Sequence, residues 1–107
     1  GLLGEIAVAK FLGRSWTPGG VRVSTGDVDH RIEVRTTEYR NGHLLVYPKD
    51  RDDAWFVLVI KSGLTFHMAG AILAGEAKKP EFWRNSDPPC YWVPQQALNS
   101  STILKGA

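Results

Sequence analysis

The chain has 107 residues, with 13 Lys and Arg against 11 Asp and Glu for a formal net charge of +2, so one domain with an ordinary core is expected and nucleic-acid binding is permitted without being required. Its single cysteine, Cys90, excludes an internal disulfide and a cysteine-based zinc site. That cysteine usage leads to the expectation of an intracellular setting; no apolar run is long enough to span a bilayer, and Gly1-Leu2-Leu3-Gly4-Glu5 shows neither the basic stretch nor the cleavage pattern of a signal peptide.

Residues 2–12 read as a helix, with Leu2, Ile6 and Ala9 on one arc at helical spacing and Gly13 as its stop. Glu5 lies beside that arc, between Ala9 and Leu12. A carboxylate there either complements the helix N-terminus or serves a site. Thr17-Pro18-Gly19-Gly20 is a turn, and Val21-Arg22-Val23-Ser24 alternates as a short strand that Thr25-Gly26 breaks.

The most informative stretch follows. Asp27-Val28-Asp29 leads through a tight turn at Asp29-His30 into a strand that starts at Arg31. Strand alternation puts Ile32, Val34 and Thr36 on one face and Glu33, Arg35 and Thr37 on the other. One carboxylate and one cation then stand side by side. Asp27, next to a glycine that can bend the chain back, can bring a second carboxylate to Glu33. Two convergent carboxylates make a hard oxygen site for Mg²⁺ or Mn²⁺, and a neighbouring cation suits an anionic substrate. The plainer alternative is a solvated surface pair.

Asn41-Gly42 is the strongest hairpin signal, with residues 43–47 as the return strand and Pro48 as its stop. Lys49-Asp50-Arg51-Asp52-Asp53 reads as a solvated charged loop. Residues 54–60 are nearly all apolar and β-rich, as in a central strand covered on both faces. Ser62-Gly63 turns the chain into a further strand over residues 64–71. Residues 72–77 fit strand or helix, residues 80–83 a short helical turn, and Cys90-Tyr91-Trp92-Val93 a last strand. Pro94 suits the first position of a helix over residues 95–98. The three histidines, His30, His43 and His67, show no close ligand spacing. The expected fold is α+β, α/β/α-like, with a mostly contiguous mixed sheet of about five strands preceded by one N-terminal helix.

Three pieces together carry a family resemblance. They are Glu5 in Gly4-Glu5-Ile6-Ala7-Val8-Ala9, Asp27 in Gly26-Asp27-Val28, and Glu33-Val34-Arg35-Thr36-Thr37 ahead of the apolar strand. In that order they resemble the PD-(D/E)XK nuclease superfamily, which includes restriction endonucleases, archaeal Holliday junction resolvases and phage nucleases. The Gly-x-x-Gly-Glu opening looks like the resolvase-like branch. The resemblance covers roughly residues 1–60, and Arg35 stands where the family has lysine.

The resemblance implies a restriction-endonuclease-like core and metal-dependent hydrolysis of DNA phosphodiester bonds in the cytoplasm of a bacterial, archaeal or phage-infected cell. It implies Asp27 and Glu33 as ligands to Mg²⁺ or Mn²⁺, with the Val34 carbonyl completing the shell and Glu5 as an outer or water-mediated ligand. Asp29 is the alternative to Asp27. Arg35 would contact the scissile phosphate, Thr36 and Thr37 would support the site or touch the DNA backbone, and Lys49 could stand in for the family lysine. Arginine stabilises phosphate charge but cannot act as a base, because its pKa exceeds about 12. DNA is the implied partner, a homodimer would supply two sites for two strands, and neither a membrane nor a small-molecule cofactor is expected. Two other functions fit the same residues: a nuclease-fold DNA-binding or assembly module without catalysis, and an unrelated α+β interaction domain.

Overall fold

The computed structural model of the chain describes residues 4, 6–8, 10, 21–25 and 28–100, with side chains at the N-terminal positions and from Ile32 onward. Gly4, Ile6, Ala7, Val8 and Lys10 are helical. The chain then forms β1 (Val21–Thr25), β2 (Val28–Thr37), β3 (Leu44–Val46), β4 (Trp55–Ser62), β5 (Thr65–Leu73), the short helix α1 (Ala74–Ala77), β6 (Trp83–Arg84) and β7 (Cys90–Val93). Single 3₁₀ turns occupy Pro80–Phe82 and Gln95–Ala97.

The protein is α+β, and the strands among the described residues are divided between two sheets. One has the order β1-β2-β4-β5, and the other has the order β3-β7-β6. In the first, β1 and β2 are antiparallel, β2 and β4 parallel, and β4 and β5 antiparallel. The expected contiguous sheet of about five strands is therefore a sheet of four beside a sheet of three.

Burial explains the division. β4 is apolar on both faces, so both must be covered. Val57 and Val59 join Val8, Ile32, Val34 and Ala71 in one cluster, under the opening helix. Phe56 and Leu58 join Leu44, Val46 and Val93 in the other. Leu44 and Val46 are each 0% exposed. Pairing β3 beside β2 as a hairpin would leave the Phe56/Leu58 face open to water, at a cost of about 1.5–3 kcal/mol for each large side chain. Asn41-Gly42 does turn the chain, with the Gly42 amide donating to the Tyr39 carbonyl at 3.0 Å. The turn sends β3 over the face of β4, where it pairs with β7 instead of β2.

Other expectations shift for identifiable reasons. Asp29 and His30 lie inside β2, paired with Ser24 and Val23, so the ladder of β1 overrides the local turn signal. Between Leu58 and Val59 the β4–β5 register slips. The extra residue, Ala69, packs with the Phe56 cluster while Phe66 and Met68 pack with the Val57 cluster. Gly63, at φ +60°, makes the two-residue β4–β5 turn, where a left-handed first residue fits the strand twist. Downstream, the expected helix over residues 95–98 is one 3₁₀ turn, after which Asn99 bridges Ala71 of β5. The Ala71 amide donates to the Asn99 carbonyl at 2.8 Å, and the reverse bond is 2.9 Å.

Candidate functional site

β2 has two unlike faces. Ile32 and Val34 are buried against the opening helix. Gly4 permits the approach there, since a Cβ at that position would meet Thr36 Oγ1 and lie 3.4 Å from Val34 Cγ1. On the opposite face stand Glu33 and Arg35, paired in register with Phe56 and Leu58 of β4. β1 pairs with β2 only as far as Ile32. Among the described residues, positions 33–37 are therefore laddered to β4 alone.

Arg35 is the hub of this face. Its guanidinium carbon lies 5.0 Å from the centroid of the Phe56 ring, a cation–π seat. Its nitrogens are 3.8 Å from a carboxylate oxygen of Glu33 and 3.8 Å from one of Asp50. Both distances exceed hydrogen-bond range, so these contacts are electrostatic and the N–H fork keeps its donors for another acceptor. The Glu33, Arg35 and Asp50 side chains are 28%, 35% and 15% exposed, so these charges sit at a half-wet rim where Coulomb terms outweigh those of a fully exposed pair.

Asp50 is the residue that sequence reading missed, and it belongs to a loop that is fastened at several points. The Tyr47 amide donates to Asp50 Oδ2 at 2.8 Å, and the Asp50 amide donates to the Tyr47 carbonyl at 3.0 Å. Lys78 then acts as a clamp. Its ammonium donates to the Pro48 carbonyl at 3.0 Å, to Asp52 Oδ1 at 2.7 Å and to the Asp50 carbonyl. The Gly75 amide of α1 donates to the Asp52 carbonyl at 3.1 Å. The charged run is thus wired to α1, while Arg51 with Asp53 forms the kind of exposed pair expected of it, at 3.0 Å. The one local hint was Pro48, a residue suited to the second position of a turn that brings Asp50 back toward Tyr47.

The remaining expected site residues fall as follows. Val34 is buried by its side chain and laddered to Val57 by its backbone. Thr36 is on the helix side of β2, beside Gly4, away from Arg35. Lys49 is exposed and lines a separate depression with Tyr47, Pro48, Pro88 and Pro89. Glu5 and Asp27 lie outside the described residues. Val28, which follows Asp27, starts β2 five positions before Glu33, about 17 Å of extended strand. Asp29 is one position nearer, within the ladder to β1. The structure therefore brings together Glu33, Arg35 and Asp50. Among the described residues, no three His, Cys, Asp or Glu side chains group as a metal cluster.

Beside Arg35 opens a cleft of about 530 Å³ between the end of β2 and the small sheet. Tyr39, His43 and Trp92 contribute rings to its lining, and Leu45 and Leu58 contribute apolar surface. The His43 and Trp92 rings are 5.8 Å apart and tilted, and the Arg84 guanidinium lies 5.9 Å from the Trp92 ring. Gln95 braces the lip: its Nε2 donates to the carbonyls of Arg40 at 2.9 Å and Gly42 at 3.0 Å.

Two carboxylates stand around one guanidinium here, and their donors are the hard oxygens that a divalent cation prefers. Comparison with protein-family models, with curated proteins and with solved structures finds no match to this chain.

Proposed function

We propose that this chain is a metal-dependent DNA endonuclease, related to the resolvase-like PD-(D/E)XK enzymes, whose working face is that of Glu33 and Arg35. One observation carries the reading. Glu33 and Arg35 share the open face of β2 with a second carboxylate, Asp50, at 3.8 Å from the same guanidinium. The strand order supports it too: β2 is paired antiparallel to β1 and parallel to the buried β4, with the opening helix packed behind it. The crossover from β2 to β4 carries β3 where a helix is common in parallel pairs.

Glu33 would hold Mg²⁺ or Mn²⁺, with Asp50, which shares the Arg35 guanidinium with it, as the second carboxylate. When bound, the cation lowers the pKa of a water and offsets the charge of the phosphate. Arg35, seated on Phe56, directs its N–H fork at the non-bridging phosphate oxygens. Asp50 holds that guanidinium in place from the loop side.

The test is cleavage of labelled junction, flap, single-stranded and duplex DNAs with Mg²⁺ or Mn²⁺. The native chain would cut, and Glu33→Ala would lower the rate by on the order of a thousandfold with an unchanged melting temperature. Absence of cutting on every substrate, or equal cutting by Glu33→Ala, would reject the reading. A second reading is favoured by Arg35 itself. Held over Phe56 and between two carboxylates, it is built as a fixed cation and cannot take a proton from water. That suits a nuclease-fold module that binds DNA and does not cut it, which the same assay reads as DNA retained without products.

A further inference from the structure

The cleft beside Arg35 has a lining that the hydrolytic centre does not need. Its volume of about 530 Å³ falls in the range that encloses a small organic group, roughly 300–1,000 Å³. Apolar and aromatic side chains make most of the wall, and Arg35 supplies a cation at one end.

Tyr39 is the telling residue. Its side chain is 79% exposed, yet it lines the cleft and has no ring partner among the described residues. Its backbone is fixed, nevertheless. The Tyr39 amide donates to Thr37 Oγ1 at 3.1 Å, and its carbonyl accepts from Gly42 at 3.0 Å. Gly42 is required there, because a Cβ would lie 2.8 Å from Thr37 Cγ2 and 3.2 Å from the Tyr39 carbonyl oxygen. Gln95 then pins the next carbonyls on either side of Asn41. A large ring is thus held in water at the mouth of an apolar cleft by a braced turn. Trp92, in the same lining, is 38% exposed, with Arg84 over its ring.

We propose that this cleft takes an unpaired nucleobase, stacked against Tyr39 and the His43–Trp92 pair, with the adjoining phosphate directed to Arg35. This rests on the nuclease reading and names its substrate class: DNA carrying unpaired nucleotides, as a single strand or at a branch. Bases in a continuous duplex stay inside the stack and cannot lie against these rings without being turned out. Rings with a cation at one end are the usual means of holding a strand without reading its sequence.

The experiment is binding of a fluorescein-labelled oligo(dT) of about 15 nucleotides, beside a blunt duplex of equal length. It is read by anisotropy in Ca²⁺, with native protein, Tyr39→Ala, Trp92→Ala and Glu33→Ala. The single strand is expected to bind at least tenfold more tightly than the duplex. Tyr39→Ala and Trp92→Ala should each weaken it by roughly 5- to 100-fold, leaving duplex binding unchanged. Trp92 also donates to Cys90 Sγ at 3.1 Å, so Tyr39, whose hydrogen bonds among the described residues run through its backbone, is the variant that keeps the fold safe. Equal affinity for the two DNAs, or single-strand affinity untouched by Tyr39→Ala, would overturn the proposal. Failure of the nuclease reading appears elsewhere, as absence of Glu33-dependent cutting while the strand preference persists.

Discussion

The two faces of β2 obey the same alternation and meet opposite fates. Ile32 and Val34 vanish under the opening helix, where contact is apolar and close enough that residue 4 carries no side chain. Glu33 and Arg35, one residue out of phase, stay at the rim and are held by charge, by the Phe56 ring and by a loop fastened from α1. The neighbouring strand β4 cannot make this distinction, since both of its faces are covered. The difference teaches that the small sheet covers β4 and stops short of the charged half of β2, and the gap it leaves is the cleft.

This contrast can be broken from either side. Leu58→Ala removes a side chain that is 1% exposed where the small sheet meets β4. It should cost about 3 kcal/mol, measured by denaturant unfolding, and should loosen the wall of the cleft. Gly4→Ala attacks the covered face by driving a Cβ against Thr36 Oγ1. Overpacking there should cost about 2 kcal/mol, and pairing it with Thr36→Ala should recover most of that, which a double-mutant cycle would read. Lys78→Met keeps the stem and deletes the clamp on the Asp50 loop. A loss of about 1–2 kcal/mol is expected, with faster proteolysis between residues 49 and 53 while the rest of the chain stays protected. Arg51→Ala, on a side chain 82% exposed, should change stability by no more than about 0.5 kcal/mol. A large effect from Arg51 would mean that the loop is held by its outer pair, contrary to the geometry of Lys78.

Much of the framework was legible because local pattern and tertiary need agree. The apolar run at residues 54–60 did become a strand buried on both faces, and the period of two at residues 32–37 did separate the apolar from the charged side chains. The α+β class followed from the same signals. What escaped depended on distant partners. Asn41-Gly42 specifies a turn, but whether β3 pairs with β2 or crosses β4 is decided by which apolar face needs cover, and that depends on Val93 nearly 50 positions later. Asp29-His30 carries turn-prone residues, and pairing with β1 straightens it. In the candidate site, Glu33 and Arg35 were readable from alternation alone. Asp50 was not, because its position is set by Lys78, at a separation of 28 residues. Lys49, adjacent to it in sequence, faces a different depression. Thr36 was placed with the phosphate contacts by the motif, and alternation, which the motif overrode, sends it to the helix side.

The bridge between Asn99 and Ala71 has a consequence for self-association. β5 is the outer strand of the four-stranded sheet, and an outer strand offers unpaired amides and carbonyls to any extended chain that passes. At Ala71 both groups are already engaged by Asn99, and Leu98 sits so close to Gly70 that a Cβ there would fall 2.6 Å from it. The chain thus caps its own outer strand with a single bridge near the end of β5, so at Ala71 a second molecule finds no ladder to extend.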